Sequence, residues 1–489
     1  MVKLTKVVLL EFFKMPVKKI ISITVLMIIS TLAEASVHRY HIRIDETITH
    51  AAVEACFDGQ PPNYLAVESK KGLRDLVEFP KSEQGNIEIQ GRYWKTKNLP
   101  DNACLNYKIS LKRHQAKRSK SSAKRKNIAF IEENTWLWLP EVLPKSDDVE
   151  LTFRIPKWAE ISTPWRQPNF DQRRYLLGHQ PQEWGYRLLI GDFNLQHRKI
   201  ADNRYLNITT INGMPKQAAV NQWLVDVATS LKHYLGDYPQ AQTQVIVISK
   251  PSLKRGPVPW GDVSRGNGLG ILFVVVPTYD IEDFYTDWTA PHEFSHQLLP
   301  KVDYDDIWLS EGLASYLQNV LMGQSKNYSI EEAWSKIYQG LKRGEKGTKK
   351  VKPEPLWKTA GRRSRGGSSG RTMRIYWSGA IYFLKADIAL REKSNGAVGL
   401  DDILLRLNRC CIDSQNTWTG ERLAAQLDQL SSSRIFSDLY QQIAFSRDFP
   451  EFGSDFKKLG ITINPSKKSS ESAVVLKVEK NSMAWKIMQ

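Results

Sequence analysis

His292-Glu293-Phe294-Ser295-His296, with Ile307-Trp308-Leu309-Ser310-Glu311-Gly312-Leu313-Ala314-Ser315-Tyr316 shortly behind it, is the stretch on which the reading of this 489-residue chain turns. Residues four apart on a helix share a face, so the imidazoles of His292 and His296 can reach one metal ion. Glu293 lies beside them, placed to act as a general base on a metal-activated water without itself being a ligand. Two core histidines would show the same spacing, so the pentapeptide alone is only suggestive. The second segment adds Glu311, set among Trp308, Leu309, Leu313 and Leu317, with Asp305 and Asp306 suited to cap a helix that starts there. A carboxylate in so apolar a setting is costly unless it is paired or binds a metal. His292, His296 and Glu311 are therefore the expected ligands of one Zn²⁺ per chain. Two imidazoles and one carboxylate leave the fourth tetrahedral position for water, the composition of a catalytic rather than a structural zinc site.

Working outward, Ala218–Leu235 has helical apolar spacing with Gly236 as its stop, and Thr243–Ile248 and Leu269–Val276 read as buried strands. A catalytic domain is expected over residues 213–450. Within it Lys342–Arg371 reads as an exposed Gly-, Ser-, Lys- and Arg-rich insertion, while Tyr376–Leu407 and Glu421–Phe445 are patterned as helices. Residues 451–489 form a short tail with one possible strand pair, Leu459–Ile463 and Ala473–Val478. Upstream, residues 36–212 alternate in short runs such as His38–Ile44, Leu105–Leu111 and Val149–Ile155, broken by turn residues, which predicts a β-sandwich.

Residues 1–35 read as a signal peptide. Lys18 and Lys19 precede the apolar run Ile20–Leu32, and Ala33-Glu34-Ala35 supplies a cleavage site. The run has 13 residues, short of the roughly 20 of a spanning helix, so an uncleaved anchor is the lesser alternative. Met15 offers an alternative start. Export to a periplasmic or extracellular compartment would allow Cys56 and Cys104 to pair. For the adjacent Cys410 and Cys411, a bridge and buried thiols both stay open.

The net charge of +17 invites a nucleic-acid reading. Eight Lys or Arg crowd into Lys112–Lys126 with no Phe, Tyr or Trp to stack a base. A solvated loop is the leading interpretation, with peripheral contact to an anionic membrane surface next and nucleic acid not favoured.

The two metal-site segments resemble those of gluzincin metallopeptidases, in which the second motif commonly reads Trp-Leu-Asn-Glu-Gly-Phe-Ala. Tyr376-Trp377-Ser378-Gly379-Ala380, Asp387 to Arg391, Ser394-Asn395-Gly396 and Leu400-Asp401-Asp402 extend the resemblance. They look most like the glycyl-aminopeptidase-like branch, related to the zinc aminopeptidase superfamily. The resemblance implies that Tyr376 hydrogen-bonds the oxyanion of the tetrahedral intermediate, a bond that strengthens as charge develops; a core tyrosine is the plainer alternative. Two departures stand out. The linker of 14 residues between His296 and Glu311 is shorter than the family's by about one helical turn of 3.6 residues. The aminopeptidases' Gly-x-Met-Glu-Asn strand, whose Glu holds the substrate's α-ammonium, aligns with Gly266-Asn267-Gly268-Leu269-Gly270, placing Gly268 near that Glu. Asp262, Glu282 or Asp283 could substitute if the fold brings one in.

The expected architecture is therefore multidomain α+β, an N-terminal β-sandwich followed by a thermolysin-like zinc metallopeptidase domain with C-terminal helices. The expected function is an exported zinc-dependent peptidase acting on peptide or protein substrates, with exo- and endo-cleavage both open. A zinc hydrolase of a non-peptide electrophile such as an epoxide, and a non-catalytic secreted binding protein, are the alternatives.

Overall fold

A computed structural model describes residues 36–115, 128–132, 134–179, 184–211, 213–253, 255–362, 368–412, 416–465 and 474–489. The expected leader at 1–35 and most of the basic Lys112–Lys126 segment lie outside them. Among the described residues no helix is long and apolar enough to cross a membrane.

Period-two burial along Val37–Ile44 puts Tyr40, Ile42 and Ile44 inside and their neighbours outside. That strand runs parallel to Asp148–Arg154 and antiparallel to His50–Cys56, in a six-stranded sheet that also holds Arg174–Leu176, Cys104–Ser110 and Leu76–Lys81. Cys56 and Cys104 are direct cross-strand partners and are joined by a disulfide. A three-stranded and a four-stranded sheet complete this unit. Its core is rich in large rings, with Trp94 stacked on Trp138 at 4.1 Å and Trp136 and Trp165 fully buried.

The second unit is built on a five-stranded sheet. Its strands are β1 (Asn194–Ala201), β2 (Arg204–Ile211), β3 (Gln242–Ser249), β4 (Trp260–Ser264) and β5 (Leu269–Val275), in the order β1-β2-β3-β5-β4. The β1–β2 hairpin, placed with the N-terminal unit from the sequence, is hydrogen-bonded into this sheet through the parallel β2–β3 pair. A seam of buried apolar residues, Ile128 and Leu189 from one unit against Ile246, Leu272 and Val274 from the other, joins the two. β4 is the outer strand, antiparallel to β5.

Helices follow: α1 (Gln217–Leu235), α2 (Thr289–Ser295), α3 (Ile307–Gln324), α4 (Ile330–Thr348), α5 (Ser369–Lys393) and α6 (Leu400–Cys410). α1 ends at Gly236 with φ 82°, the left-handed stop its sequence announces. α3 is buried along nearly its whole length and crosses α5 with backbones in contact, because a Cβ on Gly312 would collide with Gly379 and one on Gly379 with the Trp308 carbonyl. The tail strands pair antiparallel, Ile461–Pro465 with Val474–Val478.

Two expectations need correction. Lys342–Arg371 is not one loop: α4 runs through to Thr348 and Leu356–Gly361 is helical. Glycines that read as loop composition pack instead, Gly344 resting against Trp377 and Phe449. Asp306 occupies the N-cap position of α3, but its carboxylate accepts from Gly420 N at 2.6 Å and Tyr440 Oη at 2.9 Å rather than capping the helix. Cys410 and Cys411 are joined to each other, the option the sequence left open.

Candidate active site

α2 is short and wholly buried, and Pro291 sits in its first turn, where a missing N–H is tolerated. It delivers His292 and Glu293 from its last turns and His296 from its C-terminal end. The 3₁₀ turn His296–Leu298 and a second one at Tyr304–Asp306 then lead the chain into α3. Through this shortened linker Glu311 still arrives opposite the histidines. Its Oε2 lies 3.4 Å from His292 Nε2 and 3.8 Å from His296 Nε2. One donor atom from each of the three residues falls within 4.8 Å of the others.

The second nitrogen of each imidazole is held. His292 Nδ1 lies 2.8 Å from Gln318 Oε1, and His296 Nδ1 lies 2.9 Å from Ser310 Oγ. These contacts turn both Nε2 atoms toward Glu311, as ligand histidines are usually oriented. Asp287, Asp303 and Ser315, the candidates that proximity in sequence offers for this role, are not the partners seen at 2.8 and 2.9 Å. Asp287 instead accepts from Thr289 N at 2.8 Å at the start of α2. Gln318 could have been found by helical counting, since it lies seven residues after Glu311 on one face of α3.

Glu293 Oε2 is 4.0 Å from His296 Nε2. Burial pushes its carboxyl up to about 7, with Glu311 and Asp262 adding to the rise and His292 and Arg187 opposing it. A divalent cation on the three donors would pull it back down. Gly261 of β4 passes directly over this side chain, where an added Cβ would lie 2.5 Å from Glu293 Cγ. Tyr376, on α5, is half-buried with its ring stacked 5.8 Å from that of His292.

These residues line a cleft of about 930 Å³ between the two units. Its far wall includes Arg187 and Glu132 of the N-terminal unit. Arg187 forms an ion pair with Asp262 and also donates to the Asp262 carbonyl at 3.4 Å, tying the outer strand to the other unit. The strand along the site is thus β4, not the Gly266–Gly270 segment. That segment carries the hairpin turn into β5, and Gly268, at φ 153°, packs so tightly on the Pro164 carbonyl that a Cβ would collide. Of the three substitute acids, Asp262 reaches the cleft, whereas Glu282 and Asp283 belong to the Ile281–Thr286 helix and do not line it.

In architecture the chain is similar to an aminopeptidase N family protein from Idiomarina loihiensis, with a TM-score of 0.62 at 14% identity over 89% of this chain and 82% of that one. It is also similar to an M1 zinc metallopeptidase from Deinococcus radiodurans, with a TM-score of 0.50 at 12% identity over 86% of this chain and 94% of that one. The fold is that of zinc-aminopeptidase-related gluzincins. No protein-family profile matches the chain, and no curated protein matches it in sequence.

Proposed function

We propose that this chain, folded as a gluzincin, is an exported zinc peptidase that uses Glu293 as general base. The observation that carries the reading is the convergence of His292, His296 and Glu311 with Glu293 beside them at an open cleft. Two imidazole nitrogens and one carboxylate oxygen, with both outer ring nitrogens already engaged, fit zinc in kind and number. When bound there, zinc supplies a Lewis acid that polarises a carbonyl and acidifies water. Glu293 takes the proton of the attacking water on a carboxylate oxygen and hands it to the departing amine nitrogen. Tyr376 donates its hydroxyl hydrogen to the substrate oxygen that gains negative charge. Gly261 brings the outer strand against Glu293, so an extended peptide can lie beside both, hydrogen-bonded to the strand's backbone.

Export is supported by the leader-like composition of residues 1–35 and by the Cys56–Cys104 bond, which suits an oxidising compartment. The test is digestion of a peptide library by zinc-replete and chelated protein, with mass spectrometry of the cut positions. Zinc-dependent cleavage is expected. Cuts one residue from the N-terminus would assign an aminopeptidase and internal cuts an endopeptidase, and no cleavage of any peptide would sink the reading.

A further inference from the structure

Among the described residues ten large hydrophobic side chains are exposed, and three of them border this one cleft: Trp260 at 60%, Trp288 at 46% and Tyr304 at 66%. Single exposed apolar residues are ordinary on a protein surface, but three exposed aromatic rings bordering one concave site are not. They come from three separate places, the first residue of β4, the residue before α2 and the 3₁₀ turn before α3. Local sequence preference therefore does not account for their sharing one cleft. Trp288 packs edge-to-face on the ring of His292 at 5.6 Å, so a group resting on its exposed part lies next to the bond being cut. Val302 and Ile307 line the same cleft.

We propose that Trp288, Trp260 and Tyr304 select substrates whose residues flanking the scissile bond carry aromatic or large aliphatic side chains. This inference rests on the peptidase reading of the same site. Aromatic rings offer such side chains a large apolar surface with little conformational freedom to lose, and stacked or edge-to-face pairing adds to it. Small flanking residues such as Gly and Ala leave the three rings in water and gain nothing from them.

The test uses zinc-loaded full-length Glu293→Gln protein, calorimetry, and end-blocked hexapeptides that differ only in their two central residues, Phe-Leu or Gly-Ala. At least tenfold tighter binding of the Phe-Leu peptide is expected. That advantage should fall below threefold when Trp288→Ala, Trp260→Ala or Tyr304→Ala is added, and should persist in Trp158→Ala, an exposed Trp that does not line the cleft. Because Trp288 touches His292, its variant is checked for zinc content and compared with Trp288→Phe, which should restore the preference. If Trp288→Ala loses zinc, the Trp260 and Tyr304 variants decide the matter. Equal affinity for the two peptides would overturn the inference, as would tighter binding of maltohexaose than of either peptide. Selective binding with no cleavage of any peptide, free or blocked at its N-terminus, by the unmodified zinc protein would sink the peptidase reading alone, whereas hydrolysis without selectivity would sink the aromatic selection alone.

Discussion

Gln318 and Ser310 hold the rings of the two candidate ligand histidines. Without the 2.8 Å contact to Gln318, His292 can rotate and present either nitrogen. Gln318→Leu should therefore weaken zinc retention about 10- to 100-fold in competition with a chelator, the usual effect of losing such a partner; unchanged retention would assign Gln318 to packing alone. Gly261 acts at the same scale on Glu293. In Gly261→Ala the new methyl must displace the Glu293 side chain or the strand, so kcat should drop at least tenfold while zinc content stays near one per chain. A kcat equal to that of the parent would show that Glu293 does not need its observed position. His292 and His296 could be read from the sequence because residues four apart share a helix face, and Glu311 because an acid among apolar residues is costly unless paired or bound to a metal. Gly261 could not be, since its importance depends on which strand ends up at the edge of the sheet.

The helix crossing gives the motifs downstream of Glu311 a structural reading. Gly312 and Gly379 let α3 and α5 touch backbone to backbone, and that contact sets Tyr376, one turn earlier on α5, beside His292. Asp387 accepts from Tyr316 Oη at 2.9 Å, Arg391 Nε at 2.8 Å and Leu400 N at 3.0 Å, and Arg391 reaches Asp401 at 3.1 Å. The Asp387, Arg391 and Leu400-Asp401-Asp402 run thus ties α3, α5 and α6 together and does not reach the cleft. Gly379→Val should destabilise the protein by about 3 kcal/mol, at the upper end of overpacking costs, and lower the thermal midpoint; an unchanged midpoint would contradict the close crossing. Element identity was legible wherever periodicity was strong, as in Gln217–Leu235. Element boundaries failed where glycine has a packing role, which is why Lys342–Thr348 read as loop and Gly266–Gly270 as an active-site strand. Composition records that glycine is present but not whether it is there for a turn or for a close approach.

Two units facing each other across a cleft make the site, so each contributes a wall. The change from β-rich to helical patterning after residue 212 was legible, but the allegiance of the 194–211 hairpin was not, because β pattern alone does not say which sheet a strand joins. The disulfide Cys56–Cys104 spans a sequence separation of 48 and lies wholly in the first unit. Its loss in a Cys56→Ser/Cys104→Ser variant should cost about 4 kcal/mol by the loop-closure argument, read as a lower urea midpoint with zinc content unchanged; an unaltered midpoint would show that the sheets hold without it. The charge of +17 says little about the site, for His292 to Glu311 carries one Lys against five carboxylates. Of those five carboxylates Glu311 belongs to the three-residue donor set and Glu293 lies beside it. The most direct measurement is peptide turnover by Glu293→Gln at matched zinc occupancy. Full zinc retention with turnover lowered by several orders of magnitude is the expected result, and turnover equal to that of the unmodified protein would contradict a mechanism in which Glu293 moves the proton.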